Sequence, residues 1–399
     1  MQKKYLLAVS TCALLSFNLA THSESLITMY GIIDSGLVYQ NLTGNETYNG
    51  SRAGLSSGTQ TTSRWGMKGT EDLGDGYSLN FVLESSFETN NGALLSGGRI
   101  FGLQSWFGVG KQDLGYVRFG RQSSFALENF LPIDPFRGGF GQARMAMAFG
   151  SSNSNTKYSS LLKAMVEPVS GLKLGAGYSF APQMNTTYYN GSGVTTATAA
   201  DYNFDTMHNT RLITLGANYT SGPLVLAASY DQVMPDPSAP VPDALSRPPN
   251  IKEWIVGGKY DFDWIALSAA YGQNAGGTIN NQAVSVTSNG KATLDSVSWG
   301  GGQATMMFDP NMSYYSIMFG GTIPLNQRSK VFTSWTQAHN TGTSNAAAGV
   351  TNQNIFSVGY QYDLSTRTDW YAATSYATNA GFVNGVNSYI LVSGIRHRF

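Results

Sequence analysis

Connections between the predicted strands alternate between short and long over the whole chain, and few folds can accommodate that pattern. Strand reading begins at Ile27. In ITMYGIIDSGLVY the residues Ile27, Met29, Ile33, Leu37 and Tyr39 are apolar, while Thr28, Tyr30, Asp34 and Gly36 fall on the other parity. Neighbouring residues of a strand point to opposite faces, so one face here is apolar and the other mostly polar. Short turns are predicted at 71–76, 111–115, 168–171, 220–222, 261–263, 324–328 and 363–366. Long polar stretches cover 41–60, 89–98, 122–153, 181–209, 232–250, 272–311, 337–353 and 378–385. Seven short turns and eight long loops give sixteen strands if the two chain ends meet. Short turns on one rim and long loops on the other describe strands threaded through an outer membrane, with the apolar face on lipid and the polar face inward. The expected fold is all-β, a 16-stranded antiparallel transmembrane β-barrel.

Composition supports this reading. Only 12% of the 399 residues are charged, about half of the ~25% usual in a soluble domain. Glycine is abundant, at 46 residues, aromatics reach 12%, and the mean hydropathy is −0.16. A soluble helical enzyme needs more surface charge, and a disordered chain has fewer aromatics. No segment after the first two dozen residues approaches the ~20 apolar residues of a spanning helix. Aromatics gather at strand ends, among them Trp65, Tyr77, Phe107, Tyr178, Tyr219, Tyr230, Trp264, Tyr360, Trp370 and Tyr376, where they suit lipid–water girdles or strand packing. The fifth long loop carries Pro235, Pro237, Pro240, Pro242, Pro248 and Pro249, too many for a paired strand.

Residues 1–23 read as a signal peptide: Lys3 and Lys4, an apolar core, then a short polar exit, with cleavage between 20 and 25. The single cysteine, Cys12, lies within it, so the remaining barrel, 24–399, has no thiol chemistry, disulfide or thiolate metal site. Cleavage also removes two lysines and no acid, leaving 22 bases against 24 acids. That balance does not suggest nucleic acid as a partner. No cofactor or metal motif is present, nor a G-x-S-x-G elbow, a phosphate loop or H-E-x-x-H. His208 and His339 lie in predicted loops and His397 faces the lipid or the rim, so no histidine base is placed for a nucleophile.

Several stretches carry a family resemblance: MYGIIDSGLVY, SRWGMKGTEDLGDGYSLNFVLES, the strand ending YVRFGRQ, YDLSTRTDWYA, and the terminal GIRHRF with its final aromatic Phe399. They span the chain, and with them it resembles the Gram-negative general porin family. The resemblance implies homotrimers in the lipid of the cell outer membrane and passive diffusion of ions and small hydrophilic solutes. It also implies a third loop, here 122–153, folded inward to constrict the barrel.

Strand parity nominates the residues of such a constriction. Arg64 and Lys68 point inward because Trp65 and Met67 point out, Arg118 lies between Val117 and Phe119, and Glu84 alternates with Leu83. The loop acids Glu128 and Asp134 could face these bases. Arg99, ahead of the fourth strand, could reach the lumen. Arg121 points outward unless its strand kinks at Gly120. Facing charges across a narrow opening set ion preference. Two bases common among relatives are missing, one near Gly102-Leu103-Gln104 and one near 151–155. This leaves strong anion preference open, with Arg137 and Arg144 able to compensate. The rival functions are a substrate-specific channel, with Phe125, Phe130, Phe136 and Phe140 as its lining, and a structural or adhesive barrel.

Overall fold

The computed structural model describes residues 26–44, 49–154, 156–183, 185–189, 194–197, 209–237, 249–279, 305–343 and 351–399. The predicted signal peptide with Cys12, and Pro240, Pro242 and Pro248, lie outside the described residues. Strands β1 (Leu26–Thr43), β2 (Gly50–Ser57), β3 (Arg64–Gly74), β4 (Tyr77–Ser86), β5 (Gln104–Lys111) and β6 (Gly115–Gln122) precede a short helix, α1 (Phe125–Phe130). After it come β7 (Tyr158–Val169), β8 (Leu172–Ser179), β9 (Asn185–Tyr189), β10 (Val194–Ala197), β11 (Arg211–Ser221), β12 (Leu224–Met234) and β13 (Ile251–Asp261). The last are β14 (Ala266–Ile279), β15 (Thr305–Asn326), β16 (Ser329–Asn340), β17 (Gln353–Asp363), β18 (Thr368–Thr378) and β19 (Asn387–Arg398).

Along one edge of β1, residues 26–32 pair with β3 and 35–42 pair with β2, so β2 and β3 form a single stave interrupted at 58–63. The β9–β10 hairpin lies outside the ring, and β9 runs parallel to the start of β15. The remaining strands pair in chain order and antiparallel. β1 closes on β19 from Ile32↔Arg398 to Thr43↔Asn387, which makes a sixteen-stave barrel. Phe399 seals the seam with two backbone bonds to Gly31, each 3.1 Å. Closure leaves no unpaired strand edge at membrane depth.

The alternation resolves as expected. On β19, Tyr389, Leu391 and Ile395 are exposed, as is Phe399 just after it, while Ser388, Ile390 and Val392 are buried. Outward rings stack across strands, Phe107 on Phe119 and Trp335 between Phe319 and Phe356. The seven short turns fall where the sequence places them. The long loops at 41–60, 272–311 and 337–353 are shorter than expected, because strand pairing extends into them, whereas the one expected at 89–98 runs from 87 to 103. GSRAGLSS offers only Leu55 as a large apolar residue, yet it pairs with β1 as β2, and β14 and β15 run on to Ile279 and back to Thr305.

The break at 58–63 is organised by Asp34, which is fully buried. Its carboxylate accepts from Tyr371 Oη, Thr61 N at 2.8 Å and Gln60 N at 3.2 Å, and its own carbonyl accepts from Gly58 N and Ser63 Oγ. One side chain thus joins β1, the interrupted stave and β18 next to the closing seam. Tyr371→Phe removes a donor to a buried carboxylate, which costs on the order of 1–3 kcal/mol. It is expected to lower the urea midpoint of the folded protein in detergent, and an unchanged midpoint would count against this role for Asp34.

Candidate functional site: a charged aperture within the barrel

Residues 123–157 connect β6 to β7 and touch strands all round the wall. Ser124 caps α1, accepting from Leu127 N at 3.3 Å, and Phe125 N donates to Thr214 on β11. Gly175 and Gly216 leave the space the Phe125 ring occupies, since a Cβ at either would overlap it. Asn129 donates to carbonyls on β11 and β12. Further along, Ser316 of β15 donates to Ala148 O, Gln353 of β17 to Met147 O, and Gln142 to carbonyls of β18 and β19. Phe140 N reaches Thr59 O at 2.7 Å, in the break organised by Asp34. This segment is thus bonded at the depth of the strands to β11, β15, β18 and the β2–β3 break. Non-strand backbone is tolerable at that depth only where protein and a polar interior satisfy it.

Apolar packing anchors the segment. Phe125, Phe130, Phe136 and Phe140 are all buried. Phe136 meets Phe332 edge-on with ring centres 5.0 Å apart, and Phe140 meets Tyr371 at 5.3 Å. Each such burial stabilises by roughly 1.5–3 kcal/mol. These rings therefore pin the loop to the wall, and as a selective lining they have little surface to offer.

Between the loop and residues of β1, β3, β5, β13–β17 and β19 lies a cavity of about 690 Å³. Among the described residues its walls carry eight bases, Arg64, Arg137, Arg144, Lys157, Lys259, Lys330, Arg396 and Arg398, and three acids, Glu128, Asp134 and Asp261. The acids near the loop are already engaged. Asp134 is buried and accepts from Phe136 N, Gly138 N and Met145 N at 2.9–3.1 Å, holding the tip in its turn. Burial pushes its carboxyl up from the ordinary range, against those three donors and Arg144. Glu128 pairs with the fully buried Lys163 at 2.6 Å. Residue 137, at the tip, holds φ near +50°, a left-handed conformation costly for an arginine.

The predicted residues separate into distinct places. Arg64 lines the cavity, and Glu84, on the neighbouring strand, accepts from it at 3.2 Å and from Tyr30 at 2.8 Å. Those two are therefore partners on one wall and do not face each other across the opening. Lys68 lies beyond Arg64 toward the short-turn rim, over the Tyr30 ring. Arg118 sits in a separate recess of about 290 Å³, with its guanidinium 4.3 Å from the Trp106 ring centre and 3.7 Å from that of Tyr116. Arg99 stays in the β4–β5 loop, bonded to Ser96 O, and does not line the cavity. At Gly120, φ is +126° and the register with β7 shifts. The kink turns Arg121 to Gly102 O and Ser159 Oγ, where it is buried.

Lys157, Lys259 and Lys330 are cavity bases that the sequence reading did not nominate. Parity could have found Lys330, which alternates with the outward Val331 and Thr333. Lys157 precedes its strand and carries no periodic signal. Burial, with Arg64 nearby, pushes its ammonium down to about 7. Arg396 and Arg398, which parity places inward, share one buried carboxylate, Asp369, at 3.1 and 2.9 Å. This trio retains a net positive charge beside the opening.

Comparison with known proteins places this architecture. A model of the Gram-negative porin family matches residues 9–381. An outer membrane porin protein of Bordetella pertussis is 36% identical over 408 residues, covering all of both chains. The anion-selective porin from Comamonas acidovorans superposes with a TM-score of 0.67 at 21% identity, over 94% of this chain and all of that one. The trimer form of OmpT from Vibrio cholerae superposes at 0.56 and 14% identity, over 94% and 100%. The comparisons point to a channel rather than an enzyme. The chain belongs to the Gram-negative porin family, and its barrel is an outer-membrane channel for passive diffusion of ions and small hydrophilic solutes.

Proposed function

We propose that the channel is a trimeric diffusion pore with a moderate preference for anions, constricted by residues 122–153. The observation that carries this reading is the charge on the cavity wall, eight bases against three acids among the described residues. Two of those acids are held in the loop's own contacts. Arg64, Arg137, Lys330, Arg396 and Arg398 would attract anions at the opening, and Glu84 would orient Arg64. Glu128 and Asp134 would hold the loop in place. Arg118 and Lys68 would supply a weaker field toward the short-turn rim, and Arg99 would have no part in the aperture. Similarity to OmpT, an outer membrane protein solved in a trimer form, supports the trimer.

A fixed unit charge 5–7 Å from a hydrated ion is worth roughly 0.6–0.8 kcal/mol in water, or about threefold in local concentration. Reversal potentials across a salt gradient in planar bilayers test this reading. The wild type is expected to favour chloride, and Lys330→Gln and Arg137→Gln should each reduce the anion-to-cation permeability ratio roughly two- to threefold at ~0.1 M salt. The effect should shrink at higher salt. A cation-preferring wild type, or variants with unchanged ratios, would overturn it.

The ammonium of Lys157 is charged below about 7 and neutral above it. Anion preference should therefore fall as pH rises through that value, and Lys157→Met should flatten the step. A wild type and variant with the same pH profile would rule Lys157 out as the source.

A further inference from the structure

On the wall behind the loop, a row of polar side chains crosses five neighbouring strands. Register pairs Thr214 of β11 with Asp231 of β12, Asp231 with Glu253 of β13, Glu253 with Asn274 of β14, and Asn274 with Tyr314 of β15. All five are buried, Asp231 completely. The two ends of the loop meet over this row. Ser151 N donates to Glu253 Oε2 at 2.8 Å, and the hydroxyls of Ser124, Ser151 and Thr214 border Asp231. The phenol of Tyr158 lies close to both carboxylates.

The polar groups here satisfy one another only in part. Both amide atoms of Asn274 and Tyr158 Oη have no hydrogen-bond partner, and the two carboxylates draw only on the hydroxyls of Ser124, Ser151 and Thr214 and the backbone at 150–151. Among the described residues, neither carboxylate is paired with a lysine, arginine or histidine. Like charges directly opposite on adjacent strands repel, and an unpaired carboxylate out of water is costly. A proton on each acid would also remove the repulsion, and one on Glu253 could serve the Asn274 oxygen opposite it. A hard divalent cation cancels both charges and draws on just such a set of oxygens, taking six to eight in flexible geometry.

We propose that Asp231, Glu253 and Asn274 form a binding site for a divalent cation of the Ca²⁺ class, with Ser151 Oγ, Tyr158 Oη and water completing its shell. The mixed, irregular oxygen set suits Ca²⁺ better than Mg²⁺, which demands near-octahedral geometry. Ser124 opens α1 and Ser151 lies in the last turn before β7, so the ion clamps both ends of the loop to β11–β14. The site does not depend on the charge of the aperture, and it stands or falls separately from the proposed anion preference.

The test is equilibrium dialysis of radiolabelled Ca²⁺ against the full folded chain in detergent, refolded without lipopolysaccharide, which itself binds divalent cations. The wild type is expected to bind one Ca²⁺ per chain and to unfold at higher urea with Ca²⁺ than with a chelator. Asp231→Asn should weaken binding by roughly tenfold or more and abolish the stabilisation. If that variant does not fold, Asn274→Ala carries the same comparison. A folded wild type that binds no Ca²⁺, leaving the acids to hold protons, overturns the proposal. So does binding that survives substitution at Asp231 or Asn274.

Discussion

Closure of the wall is the constraint on which the rest depends. Within lipid, a backbone N–H or C=O with no partner costs several kcal/mol, so sixteen staves must end where they began. The meeting of β1 and β19 therefore governs everything inside. Asp34 sits at that meeting and collects donors from β18 and the break in the second stave. The break in turn offers Thr59 O to the loop tip at Phe140 N. Seam, break and loop tip form one hydrogen-bonded unit.

The electrostatics follow from which charges that unit consumes. Asp134 is used to shape the tip, Glu128 to neutralise a buried lysine, and Glu84 to hold Arg64. Each is an acid that a list of inward-facing residues would count as a channel charge. Asp369 serves two arginines at once. With the acids spent locally, the bases retain their field at the cavity. On the function proposed above, a near-neutral chain in this way presents a positive aperture.

Much of this was legible in the sequence because β-structure has a short period. Alternation gave the facing of Arg64, Glu84, Arg118, Arg396 and Arg398, and turn residues located all seven short turns. What the sequence hid falls into two physical kinds. The first is backbone irregularity, the break at 58–63 that disguises β2 as loop; the kink at Gly120 was open in the sequence, but where it turns Arg121 was not. The second is convergence across non-neighbouring strands. Lys157 has no strand of its own, and the row Asp231–Glu253–Asn274 exists only once three strands are in register. Arg99 shows the converse, since nearness to a strand start did not bring it to the lumen.

The central claim is that the loop tip at Arg137 stands in the ion path. The most direct measurement uses Arg137→Cys, since the only native cysteine, Cys12, lies in the predicted signal peptide. Single-channel current is recorded while a bulky anionic methanethiosulfonate is added. A stepwise fall in conductance, reversed by reductant, is the predicted result. Full labelling with unchanged conductance would contradict the account, placing the tip away from the path.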